Sequence, residues 1–266
     1  MPVRFILAPA GGGKTDYCLK QALLAEKADP LGQPLYLIVP QQATFIHEKL
    51  LCGMSAGGGF CRARVFSFNR LVYQAHKELG DPLPPVVSEP AASPGVASYL
   101  VKAAEELSAY SISPEGFAQA VDKMAAKGGH PRQIARLREI SLLYNAYAAA
   151  GRAYAGYGAD MSYLANAVRR GFLTGCDIYL DGYADFTPAE TGVLSAMMAD
   201  PCRTLNITLP VDPRLVKGAA AGKDKVFRVP LSCLDRLNLL AQKEGAEILP
   251  PVLLDGSRGR FRNNRE

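Results

Sequence analysis

Ala8-Pro9-Ala10-Gly11-Gly12-Gly13-Lys14-Thr15 has the residue types and order of a turn that wraps phosphate. Such a turn presents backbone N–H groups to phosphate oxygens, and side chains near Gly11, Gly12 and Gly13 would obstruct that approach. Lys14 places an ammonium on the β- and γ-oxygens of a nucleoside triphosphate, and Thr15 offers a hydroxyl to Mg²⁺. A helix beginning there points its partial positive end at the anion. The pattern is that of a P-loop with Ala8 in place of the first glycine. Gly-rich turns also precede helices by chance, so the apolar strand before and the helix after are the context that separates the two. Ala8, Ala10, Gly11, Gly12, Gly13, Lys14 and Thr15 are the expected nucleotide-binding residues, with ATP and Mg²⁺ as the expected cofactors.

A P-loop ATPase also needs acidic groups at the end of a neighbouring strand, one for Mg²⁺ and one to orient the attacking water. The run Ile178-Tyr179-Leu180-Asp181-Gly182 supplies only the first. Asp181 falls at the magnesium position, and Gly182 falls where the water-orienting glutamate belongs. A glycine cannot polarise water, and loss of a general base costs roughly 10²–10⁴ in rate. No catalytic residue is expected. Asp-Gly is also a common strand-end turn. Asp185 and Glu190 are the nearby carboxylates that could stand in, though Asp185 is as well placed to cap the helix that starts near Pro188.

These side chains need strands to deliver them. Apolar runs at 3–7, 35–39 and 63–66 read as strands, and helical patterns follow at 14–27, 42–51 and up to about Leu79. Asp29-Pro30-Leu31-Gly32 and Pro40 punctuate them. Alternation of this kind predicts a parallel sheet with helices on both faces. After Gly80 comes a Pro-rich linker, then Ala-rich helical periodicity from 96 to 170, broken near Pro114, Gly128 and Gly151. Strand-type runs return at 177–180 and 204–209, with helices at 188–198 and 231–244. The expected organisation is a sheet domain in two parts, 1–85 and 173–254. A helical insertion at 86–172 interrupts it, and a polar tail at 255–266 reads as a truncation.

Composition is that of a globular chain: 266 residues, 48% hydrophobic and 21% charged, enough for a sizeable core. No apolar run approaches the ~20 residues that span a bilayer, and the first strand follows Met1 too closely for a secretory signal. The six cysteines form no Cys-x-x-Cys pair and, with His47, His76 and His130, no zinc spacing. Free thiols in a reducing cytoplasm are expected. The net charge of +5 permits a polyanionic partner. Two basic stretches, Lys123 to Arg138 and Arg258 to Arg265, read first as a solvated helix face and a frayed end.

RFILAPAGGGKTDYCL (4–19), PLYLIVPQQATFIHEKLL (34–51), RARVFSFNRLV (62–72) and DIYLDGYADFTPAE (177–190) together resemble the N-terminal, helicase-like region of the AddB family. Members are B subunits of bacterial AddAB helicase–nucleases and are related to superfamily-1 helicases such as UvrD. The helical block and the RFRNN tail extend the likeness more weakly over almost the whole chain. The resemblance implies a RecA-like fold, a role in double-strand-break processing, and a heterodimer with an AddA-like helicase–nuclease subunit, with no membrane involved. It also implies that the nuclease and iron–sulfur residues lie elsewhere. Lys14 and Thr15 match the helicase phosphate loop and Asp181 the magnesium Asp. Gly182 and Ala184 replace the Glu and Gln of the Asp-Glu-x-Gln-Asp box, and Asp185 matches its last Asp. The γ-phosphate Gln is absent near Leu209-Pro210-Val211-Asp212-Pro213. The resemblance also implies an adenine-gripping Gln upstream of the first strand, for which no place is expected here.

The same resemblance places single-stranded DNA along Gln41-Gln42-Ala43-Thr44-Phe45 and Ser67-Phe68-Asn69-Arg70, with Gln42, Thr44, Phe45, Ser67, Phe68 and Arg70 as the expected contacts. Amides and hydroxyls suit phosphate and sugar, and aromatics suit base stacking. Core packing of Phe45 and Phe68 and a surface ion pair for Arg70 are the competing readings. The leading expectation is an ATP-binding, degenerate helicase-like domain that engages DNA within a repair complex. An active P-loop ATPase, or a scaffold for the partner subunit that binds no nucleotide, are the alternatives.

Overall fold

The structure is a computed structural model. It describes residues 1–55, 59–83, 96–110, 112–151, 157–199, 202–216 and 226–254. Gly57, Gly58, most of the Pro-rich stretch and the terminal Arg258, Arg260, Arg262 and Arg265 lie outside them.

Five strands carry the body: β1 (Pro2–Leu7), β2 (Leu35–Ile38), β3 (Ala63–Phe66), β4 (Asp177–Leu180) and β5 (Thr204–Leu209). Two short strands, β6 (Glu247–Ile248) and β7 (Val252–Leu253), add to one edge. The order is β3-β2-β4-β5-β1-β6, with β7 also on β1, and every pairing among the described strands is parallel. Parallel strands need crossover connections. Here the first three are α1 (Lys14–Ala28), α2 (Thr44–Met54) and a long helical excursion that opens with α3 (Phe68–Leu79). This excursion runs through α4 (Val96–Ala109), α5 (Pro114–Ala126), α6 (Pro131–Gly151) and α7 (Tyr157–Arg169) before β4. Then follow α8 (Pro188–Ala199), the short α9 (Pro213–Val216) and α10 (Arg228–Lys243). This arrangement is consistent with a RecA-like sheet carrying a helical insertion.

Side-chain alternation decides which helices lie on which face. In β2, Tyr36 and Ile38 enter the larger core cluster, whereas Leu35 and Leu37, with Val39 just past the strand, enter the smaller one. β1 divides the same way, Val3, Phe5 and Leu7 against Ile6, as does β4, Ile178 and Leu180 against Tyr179. Period-two alternation sends successive side chains to opposite faces, so both faces are buried, as the near-continuous apolar runs require. Cys18, Leu19 and Ala22 of α1 and Leu51 of α2 cover the smaller cluster. Residues of α3, α7, α8 and α10 cover the larger one.

Helix α7 falls within the stretch that periodicity assigns to the insertion, yet it packs on the sheet. Met161, Leu164, Ala165, Ala167 and Val168 are buried in the larger core cluster. The helix is tied to α3 by a stack of Tyr163 on His76, centroids 3.7 Å apart. Asp81, just past α3, accepts hydrogen bonds from Tyr163 Oη at 2.7 Å and from Arg170 Nη1 at 2.5 Å and Nη2 at 3.1 Å. The excursion returns to the sheet one helix earlier than helical periodicity alone reveals.

Candidate functional site

The turn between β1 and α1 is held by its own residues. Gly12 N–H donates to Pro9 O at 3.0 Å. Gly11 and Gly13 adopt left-handed φ of 72° and 86°, a region that favours glycine. A Cβ on Gly12 would lie 2.7 Å from Ala8 Cβ and 2.9 Å from Pro9 O, closer than atoms pack. The glycines are thus required by the curl of the chain. Ala10 and Gly11 are exposed at the rim of the turn. Lys14 folds back across it, its Nζ donating to Ala8 O and Pro9 O at 2.9 Å each. Burial pulls the Lys14 ammonium below its ordinary pKa, against the attraction of the Asp181 carboxylate.

Asp181 follows the last residue of β4 and is 1% exposed. Its Oδ2 accepts from Thr15 Oγ1 at 2.6 Å and faces His47 Nε2 at 3.0 Å, while Oδ1 accepts from Thr208 Oγ1 at 2.7 Å. Register explains the meeting. Leu180 pairs with Ile207 and Ile38, so Asp181 sits beside Thr208 and beside the start of the segment leading to α2. Burial raises the carboxyl's pKa, but hydrogen bonds from His47, Thr15 and Thr208 outweigh it and hold the group below the ordinary carboxylate value. His47 Nδ1 lies 2.9 Å from Ala43 O. Both ring nitrogens therefore face acceptors, the arrangement of an imidazolium that donates twice. Burial opposes that charge, but the bonds to Asp181 and Ala43 carry the His47 pKa above its usual value.

His47 and Thr208 are site residues that motif and spacing do not reveal. A thin signal exists: Thr208 lies in β5 and His47 in α2, the helix that follows β2, and both strands neighbour β4, on the side of the sheet where the strands' carboxyl ends gather. Which of several polar residues there reaches Asp181 depends on register, which periodicity does not report.

The remaining expected residues divide by burial. Gly182 takes a left-handed φ of 86°, and a Cβ on it would lie 3.2 Å from Pro40 Cδ. Asp185 pairs with Arg236 and accepts from Phe186 N–H at 2.8 Å. Glu190 accepts from Thr187 N–H at 2.8 Å and from Thr187 Oγ1 at 3.0 Å. Thr187, Pro188 and Glu190 thus cap α8 in the reciprocal pattern of a capping box, so the cap expected of Asp185 is made by Thr187 instead. Both carboxylates are engaged away from Asp181.

Gln42 and Phe45 are exposed, Phe45 by 71%, and the Thr44 hydroxyl donates to Gln41 O at 3.0 Å. Ser67 is buried and caps α3, accepting from Arg70 N–H at 3.3 Å. Phe68 is 3% exposed and packs 5.8 Å from Tyr183, centroid to centroid, so its ring is a core contact rather than a stacking platform. Arg70 pairs with Glu48 at 3.4 Å and lies over the Phe66 ring. The two segments touch where Asn69 Nδ2 donates to Gln41 Oε1 at 3.4 Å.

Elsewhere the chemistry is plainer. Cys18, Cys52, Cys61, Cys176 and Cys233 carry free thiols. Lys123, Lys127, His130, Arg132, Arg136 and Arg138 lie on α5, α6 and the turn between them, largely toward solvent. Among the described residues no helix is long and apolar enough to cross a membrane.

A parallel sheet covered on both faces, with a Gly-rich turn and a buried carboxylate at one end of its strands, marks an α/β protein whose topology is consistent with the RecA-like class. The chain belongs to the AddB N-terminal family: the family model described as "ADDB, N-terminal" matches residues 5–91 and 85–266. It is similar to the B subunit of the ATP-dependent helicase/deoxyribonuclease of Pelotomaculum thermopropionicum, 32% identical over 99% of this chain and 25% of that protein. The same-named protein of Desulforudis audaxviator is 33% identical over 99% of this chain and 24% of its own length. That of Symbiobacterium thermophilum is 30% identical over 95% and 24%. The chain spans about a quarter of the length of these curated relatives.

Proposed function

We propose that this chain is the nucleotide-binding, hydrolysis-poor N-terminal domain of a helicase–nuclease B subunit, and that it engages DNA beside an AddA-like partner in double-strand-break repair. The observation that carries the first part is the convergence of the Gly-rich turn, Lys14, Thr15 and Asp181 at one end of the sheet. The helix start at the end of the turn suits an anion, and Lys14 lies across the turn with its Nζ on Ala8 O and Pro9 O. A triphosphate would exchange those two carbonyl contacts of Lys14 for phosphate oxygens. Ala8, Ala10, Gly11, Gly12 and Gly13 would supply the cradle. Poor hydrolysis follows from Gly182, and from Asp185 and Glu190 being committed to Arg236 and to the α8 cap.

Support for DNA contact comes from the rim nearby. Gln42 and Phe45 are exposed next to the Asn69–Gln41 contact, with Arg70 alongside. Amides there suit phosphate and sugar, and the Phe45 face suits a base.

Titration with a fluorescent ATP analogue tests the reading. Saturable binding is expected, weakened about tenfold or more by Lys14→Ala, the scale of one lost charge-assisted contact. Steady-state ATPase, with and without single-stranded DNA, should stay far below the ~1–10³ s⁻¹ of ordinary enzymes. Absence of saturation at millimolar nucleotide would favour the scaffold, and turnover of several per second abolished by Lys14→Ala would favour an active motor.

A further inference from the structure

Thr15 and Asp181 are the residues a magnesium ion would claim in a RecA-like site, and both are already committed. The Thr15 hydroxyl donates its proton to Asp181 Oδ2 at 2.6 Å, and the same oxygen faces His47 Nε2 at 3.0 Å. Oδ1 is taken by Thr208 at 2.7 Å. A carboxylate with two hydrogen bonds on one oxygen and one on the other has little acceptor capacity left for the water shell of Mg²⁺, which sheds that shell reluctantly. His47 cannot be displaced cheaply, because its other nitrogen is anchored on Ala43 O at 2.9 Å and the residue is 6% exposed. The donor set thus fits a phosphate cradle better than a hydrated metal.

We propose that His47 stands in for the metal at Asp181, so that this site takes the phosphates of a nucleotide without needing a divalent cation. The proposal deepens the nucleotide reading and rests on it for the ligand. His47 acts as a positioning and specificity residue: it holds the carboxylate from the protein side, leaving the turn and Lys14 to meet the phosphates. Replacing it with glutamine keeps a polar side chain of similar reach while loosening the hold on Asp181.

The test compares ATP binding by the wild-type protein and by His47→Gln, each with excess Mg²⁺ and with EDTA, and separately the uptake of Mn²⁺ alone, read by its EPR signal. The wild type should bind ATP within about threefold in the two conditions, whereas His47→Gln should lose about tenfold on metal removal, a difference of roughly 1.4 kcal/mol. Without nucleotide, His47→Gln should take up Mn²⁺ more tightly than the wild type. A tenfold loss by the wild type in EDTA, or equal Mn²⁺ uptake by the two proteins, overturns the assignment of His47. Failure of both proteins to bind ATP in any condition sinks the nucleotide reading instead, and the Mn²⁺ comparison still decides the role of His47. Should His47→Gln fail to fold, the EDTA comparison on the wild type decides alone.

Discussion

In the proposed nucleotide reading Gly182 takes the place of a water-orienting glutamate, and its backbone is shaped against holding one. Its left-handed φ of 86° and the approach of Pro40 Cδ leave no relaxed place for a side chain. A non-glycine residue held in that region costs roughly 1–2 kcal/mol. Gly182→Glu should therefore lower stability by about that amount and leave ATP turnover unrestored. Urea unfolding and a phosphate-release assay check the two halves, and a gain of turnover would show that the backbone adapts. The phosphate-type residues and Asp181 are legible in the sequence because local order encodes them: three glycines, a lysine and a threonine in a row, and an acidic residue after an apolar run. His47 and Thr208 are not, because their partner is fixed by strand register between distant segments.

The strands β1 to β5 are readable at the scale of elements, since each is an apolar run bounded by a turn signal. β6 and β7 escape notice: each has two residues, and Pro250 and Pro251 stand between them. They pair with β1 only because that edge is open to them. Helical amphipathicity likewise shows α7 as a helix without saying which body it packs on. The two aromatic residues set forward for DNA separate at this scale. Phe68 opens α3 against Tyr183 in the core, whereas Phe45 projects from the first turn of α2. Phe68→Ala should destabilise the fold by about 3–5 kcal/mol, the usual cost of emptying a buried aromatic position. Phe45→Ala should leave stability within about 0.5 kcal/mol of wild type and weaken single-stranded DNA binding by ~1–3 kcal/mol. Chemical denaturation and fluorescence anisotropy read these outcomes; a stable Phe68→Ala protein with impaired DNA binding would reverse the assignment.

Across the whole molecule, the two ends of the helical excursion are tied where Asp81, just past α3, meets Tyr163 of α7 and Arg170 just beyond it. Hydrogen bonds from Arg170 and Tyr163 hold the Asp81 carboxyl at about 2, below the ordinary value of 3.8. A depressed folded-state pKa adds stability that is present above the unfolded pKa and lost as pH falls through the folded one. Asp81→Asn should accordingly be less stable than wild type at neutral pH, and the gap should close between about pH 4 and pH 2. Thermal melts of both proteins over that range measure it, and a gap that does not vary with pH would remove the carboxylate from the account.

β2 runs between β3 and β4, and its residues Leu35 to Ile38 are all fully buried or nearly so. β3 reaches it through one short helix, but β4 reaches it only after the helical excursion has been made. During synthesis, then, the nascent chain carries a bare, apolar strand edge for as long as the ribosome takes to add those helices. An open edge of this kind invites pairing with other chains, and pairings distant in sequence close slowly. The β2–β4 seam therefore stays open until residues 177–180 have been made, and shorter translation products carry that apolar edge uncovered.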